Sequence, residues 1–199
     1  MKRKIYNEML LWKQNAQGKS ALMIDGARRI GKSYIVEEFA KNEYKSYILV
    51  DFNNADDNLI EIFNKYLGNL DVFFSYLALY YNVTLYHRDT LIVFDEVQLY
   101  PKARAAIKYL VKDGRYDYIE TGSLVSINRN VKDIVIPSEE HRINMFPMDF
   151  EEFLWAVGDE QLMPFMRMCF EKKQKLGPLH RKAMSHFRHY MIVGGMPQA

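Results

Sequence analysis

Residues 26–33 read Gly26-Ala27-Arg28-Arg29-Ile30-Gly31-Lys32-Ser33, a full G-x-x-x-x-G-K-[ST] run, and no other stretch constrains the fold as strongly. With glycine at about 7% of residues, such a run arises by chance in a chain of 199 residues in roughly 1% of cases. Its context fits as well. Ala21-Leu22-Met23-Ile24-Asp25 is a short apolar run suited to a buried strand, and Ile35, Val36, Phe39 and Ala40 recur at helical spacing. Strand, glycine loop and helix in that order form a phosphate-binding unit. Gly26 and Gly31 let the backbone turn tightly and bring its N–H groups to an anion. Lys32 reaches the β- and γ-phosphates, Ser33 offers a hydroxyl to Mg²⁺, and the helix directs its positive end at the same charge.

The rest of the chain alternates. Strands are predicted over 46–52, 90–97, 116–121 and 142–146. Helices are predicted near the N-terminus (Tyr6, Met9, Leu10, Trp12), over 59–67 and 70–80, and over 103–112 opened by Pro101. This pattern predicts an α/β fold, a parallel sheet flanked by helices. After Pro147 it changes. Asp149 reads as an N-cap for a helix over 150–157, with two more helices over 160–175 and 179–193, so a small helical lid is expected. Leu179, Ala183, Met184, Phe187 and Met191 are expected to form the buried face of the last helix. The expected organisation is a P-loop core over 1–147 and a helical lid over 148–193, followed by a turn-like stretch at 194–199.

Composition narrows the function classes. A net charge of +2 does not mark a nucleic-acid partner. One cysteine, Cys169, excludes a disulfide framework within this chain and fits a reducing, cytoplasmic setting. The uncharged run Val72–Tyr86, at 15 residues, is shorter than a membrane span and reads as a buried helix followed by an extended piece, so no membrane partner is expected.

A phosphate loop gives binding, whereas hydrolysis also needs a metal partner and an activated water. Leu91-Ile92-Val93-Phe94-Asp95-Glu96 supplies candidates for both. Ligands collect at the C-terminal ends of parallel strands, which puts Asp95 beside Lys32 and Ser33 as a second Mg²⁺ ligand, with Glu96 next to it to orient or deprotonate water. Thr121 and Ser123, in Glu120-Thr121-Gly122-Ser123, are candidates to contact the γ-phosphate or the water, and Gln98 is a candidate to position it.

Three ordered segments, Gly26–Ser33, Phe94-Asp95-Glu96-Val97-Gln98 and Thr121-Gly122-Ser123, resemble a family of bacterial and archaeal AAA+-type P-loop ATPases, as does the tail Gly194-Gly195-Met196-Pro197. The resemblance implies an ATP-binding, Mg²⁺-dependent ATPase. Lys32 and Ser33 belong to its Walker A motif, Asp95 and Glu96 to its Walker B motif, and Thr121 or Ser123 lies near sensor 1. It also implies a further C-terminal domain beginning near Gly194 and makes a homo-oligomer a candidate assembly. Arg129, Arg181 and Arg188 are candidates for an arginine finger or sensor 2, and Arg28 and Arg29 for phosphate or partner contacts. A slow nucleotide-gated switch or scaffold and a small-molecule phosphotransferase stay open beside the ATPase.

The segment 167–189 is locally basic, with Arg167, Lys172, Lys173, Lys175, Arg181, Lys182 and Arg188 against Glu171 alone. It is a candidate surface for a nucleic acid or an acidic protein partner, or simply a solvated face. His180, His186 and His189 lack the cysteine or acidic pair that would complete a metal site.

Overall fold

The computed structural model describes residues 1–123 and 140–197. Among them, five strands form one sheet in which every pairing is parallel. In chain order they are β1 (Ala21–Gly26), β2 (Ser46–Asp51), β3 (Thr90–Asp95), β4 (Asp117–Gly122) and β5 (Glu140–Met145). Across the sheet they run β2-β3-β4-β1-β5. The helices are α1 (Ile5–Ala16), α2 (Lys32–Glu43), α3 (Asp57–Tyr66), α4 (Leu70–Tyr81), α5 (Pro101–Asp113), α6 (Phe150–Ala156), α7 (Leu162–Glu171) and α8 (His180–Val193). This is the α/β architecture that the alternation predicts.

Side-chain alternation builds a core on each face. Ala21 and Met23 of β1, Ile92 and Phe94 of β3, and Ile48 and Val50 of β2 pack with α3, α4 and α5. Their neighbours Leu22, Ile24, Leu91 and Val93 point the other way and pack with α1 and α2. A strand buried on both faces must be apolar at nearly every position, which is why β1 and β3 read as continuous runs. On the first face Phe63 sits at the centre of an aromatic cluster, edge-on to Phe52, Phe73, Phe94 and Tyr100 at 5.1–5.7 Å between centroids. The same layer holds a buried charge cluster. Arg104 of α5 is fully buried, with Nη1 3.4 Å from Glu120 and Nη2 2.8 Å from Glu140. Burial pushes the Glu120 carboxyl up from its ordinary 4.5 to about 8, against the pull of Arg104.

Local chemistry sets the element ends. Asp56 caps α3 by accepting from the Leu59 N–H at 2.8 Å. Asp149 and Glu152 form a reciprocal capping box on α6, as the N-cap reading of Asp149 requires. The strand predicted over 90–97 stops at Asp95 because Glu96 takes a left-handed conformation, φ 54°, and Val97–Leu99 winds into a 3₁₀ turn.

Two expectations are corrected. Helix α4 buries only Phe73, Phe74 and Leu77, while Tyr76, Leu79 and Tyr80 face solvent, so the apolar run is a half-covered helix. On α8 only Ala183 is buried; Met184, Phe187 and Met191 are exposed, as is Leu179 just before the helix. Ala183 packs with Leu154 and Leu162 in a small cluster, and Phe187 meets Phe150 edge-on at 5.5 Å while staying exposed. No helix among the described residues is long and apolar enough to cross a membrane.

Candidate functional site

Because β4 lies between β1 and β3, the C-terminal ends of these three strands bring Gly26, Asp95 and Gly122 to one edge of the sheet. The loop 27–31 leaves β1 there and turns into α2. Its first glycine is forced by contact: a Cβ on Gly26 would lie 2.3 Å from the Met145 carbonyl oxygen and 2.8 Å from Ile30 Cδ1. Its last, Gly31, has φ 90°, and Arg29 also has positive φ at 64°. These left-handed residues fold the loop back on itself before the helix begins.

Lys32 is buried at the start of α2, and its Nζ donates to the carbonyls of Gly26 (3.1 Å) and Ala27 (2.8 Å). Burial lowers its pKa, while Glu96, Asp95 and Asp25 oppose that shift. Ser33 follows on the exposed side of the helix start. Asp95 is buried, and desolvation raises its pKa against hydrogen bonds from Thr121 and Ser33. The structure thus brings together the four side chains predicted to meet here: Lys32, Ser33, Asp95 and Glu96.

Thr121 joins the two carboxylate positions. Its fully buried hydroxyl donates to Asp95 Oδ1 and accepts the Glu96 N–H at 3.2 Å. Gln98 is also buried, and its amide Nε2 donates to Glu96 Oε2. Ser123 is buried just beyond β4.

Other predicted residues stand apart. Arg28 and Arg29 are exposed on the loop, and Arg28 adds positive charge near Lys32. Arg181 and Arg188 are exposed on α8, and Arg129 lies outside the described residues. In the basic segment, Arg167 pairs with Glu151 at 2.6 Å, and Lys182 and His186 pair with Asp159 at 2.7 and 3.2 Å. Lys172, Lys173 and Lys175 remain exposed.

Sequence reasoning missed two contributors. Asp25, the last residue before the loop, is buried with Oδ1 lacking a hydrogen-bond partner among the described residues, and it supports the charge on Lys32. Its position within an apolar strand was the available signal. Arg3 touches the loop from the N-terminal arm, where no motif marks it.

The donor set fits a magnesium nucleotide. A hydroxyl and a carboxylate are hard oxygen ligands suited to Mg²⁺, which takes its remaining ligands from phosphate and water. Among the described residues no three His, Cys, Asp or Glu side chains cluster to hold a metal by themselves.

A glycine loop running into a helix at the edge of a parallel sheet, with a buried lysine and a strand-end carboxylate beside it, defines the nucleotide-binding P-loop class. The AAA domain family model matches residues 18–154, and the chain belongs to that family. Its domain is of nucleotide-binding, ATPase-like type, and the match runs from the turn before β1 into α6. No curated protein matches the chain.

Proposed function

We propose that this chain binds ATP with Mg²⁺ and hydrolyses it. The observation that carries the reading is the arrangement around Thr121, whose one hydroxyl fixes both Asp95 and the backbone of Glu96 opposite the loop. Backbone amides of residues 28–33 and the Lys32 ammonium hold the phosphates. Ser33 and Asp95 hold the metal, which when bound neutralises charge on the phosphate oxygens. Glu96, oriented by Gln98, takes a proton from the attacking water. Thr121 acts through Asp95 and Glu96, and Ser123 stands near the γ-phosphate end. The division into a core over 1–147 and a lid over 148–193 belongs to the same proposal.

A slow nucleotide-gated switch is the second reading, favoured by the direct link from the loop to α6 through Arg3 and Glu152. In that case basal turnover is low and rises when a partner is added.

Phosphate release from ATP with and without Mg²⁺ tests the proposal. Release is expected with Mg²⁺ and is lost in Lys32→Ala. A chain that neither binds ATP in a thermal-shift titration nor releases phosphate contradicts it.

A further inference from the structure

Arg3 is an arginine with a buried side chain in the arm before α1, and each of its three polar groups is engaged by a different part of the molecule. Nη1 donates to the Ile30 carbonyl at 2.8 Å, Nη2 to the Phe146 carbonyl at 2.7 Å, and Nε to Glu152 Oε1 at 3.1 Å. The first acceptor lies inside the phosphate loop, the second just past β5, and the third on α6. Glu152 is itself fixed, accepting the Lys4 N–H at 2.7 Å and the Asp149 N–H at 3.2 Å within the α6 capping box. Gly31, next to Ile30, is bounded on two sides: the position of a Cβ there lies 3.5 Å from Pro197 Cγ and 3.9 Å from Arg3 Nη1.

Peptide planarity gives this contact a consequence. No described peptide bond is cis, and in a trans peptide the C=O and the following N–H point in opposite directions. Holding the Ile30 carbonyl toward Arg3 therefore holds the Gly31 N–H away from it. Gly31, at φ 90°, has the least steric resistance of any residue type to rotation of that peptide. Without the Arg3 donor the buried Ile30 carbonyl loses this partner and nothing there holds the plane against a flip, so Arg3 removes that freedom. We propose that Arg3 is a positioning residue that aims the Gly31 amide at the bound phosphates, and that Glu152 sets Arg3, so that the placement of α6 controls how tightly the loop grips phosphate. The inference rests on the nucleotide-binding reading above.

A role through the loop amide has a signature that direct contact with base or sugar lacks, because the loss follows the phosphates alone. Calorimetric titration of the whole chain with Mg²⁺-ATP and with inorganic tripolyphosphate reads it. Arg3→Met is expected to weaken both probes by a similar factor, about tenfold or more, the effect of losing one charge-assisted hydrogen bond. Arg3→Lys is expected to fall in the same direction, since one ammonium cannot span three acceptors, and it serves as the test variant if Arg3→Met does not fold by circular dichroism. Glu152→Gln should show part of the loss, and Arg3→Met combined with Glu152→Gln no more than Arg3→Met alone. Unchanged affinities in the folded variants, a loss confined to ATP, or additive losses in the combined variant overturn the inference. If the parent chain binds neither probe, the nucleotide reading itself fails, an outcome separate from a parent that binds and an Arg3→Met that binds equally well.

Discussion

Thr121 donates its hydroxyl hydrogen to Asp95 across the β3–β4 pair, and the same oxygen receives the amide of Glu96. Two adjacent acids, to which the proposal gives different tasks, thus share one fixed reference point. Thr121→Val keeps the shape and removes both bonds. On the proposed metal-holding role of Asp95, turnover is expected to fall about 10–100-fold, with ATP affinity little changed. Thr121→Ser, which restores the hydroxyl, should recover most of the rate. Steady-state phosphate release alongside an ATP titration checks the pair.

The Gln98 amide holds the Glu96 carboxylate. Gln98→Leu should lower kcat with little effect on ATP affinity, since the side chain makes no contact with the phosphate loop among the hydrogen bonds of the described residues. A rise in KM with unchanged kcat would place Gln98 on the substrate side.

Lys32 is buried, and desolvation lowers its pKa while its Nζ rests on the Gly26 and Ala27 carbonyls beside the loop. Lys32→Ala is expected to weaken ATP binding by roughly 2–5 kcal/mol, or ~30-fold and more. The ATP-induced rise in melting temperature should disappear with it.

The cluster of Arg104, Glu120 and Glu140 gives stability a pH dependence unrelated to catalysis. The raised pKa means that folded Glu120 keeps its proton where the unfolded chain has lost it, so stability declines as pH rises from about 4.5 toward about 8 and levels off above. Glu120→Gln mimics the protonated form and should flatten that decline in melting temperature. Arg104→Met leaves Glu140 buried beside no cation from α5 and should cost about 3–5 kcal/mol.

Much of the fold was legible because it is written locally. The apolar runs at 21–25 and 91–94, the helical spacing at 35–40 and the cap at Asp149 each depend on neighbours a few residues apart. Strand order was not legible, because the insertion of β4 between β1 and β3 is a non-local pairing, and that insertion is what carries Thr121 to Asp95. The loop and both acids could be named from spacing. Arg3 could not, since its partners lie 27, 143 and 149 residues away. The expected buried face of α8 failed for a related reason: apolar periodicity marks a face without supplying the layer that covers it.

Turnover by Glu96→Gln tests the central claim most directly. This variant keeps the side-chain length and an acceptor near Gln98 but cannot take a proton from water. The account predicts ATP binding within about threefold of the parent and phosphate release slowed by roughly 10²–10⁴-fold. Equal turnover in parent and variant would contradict it.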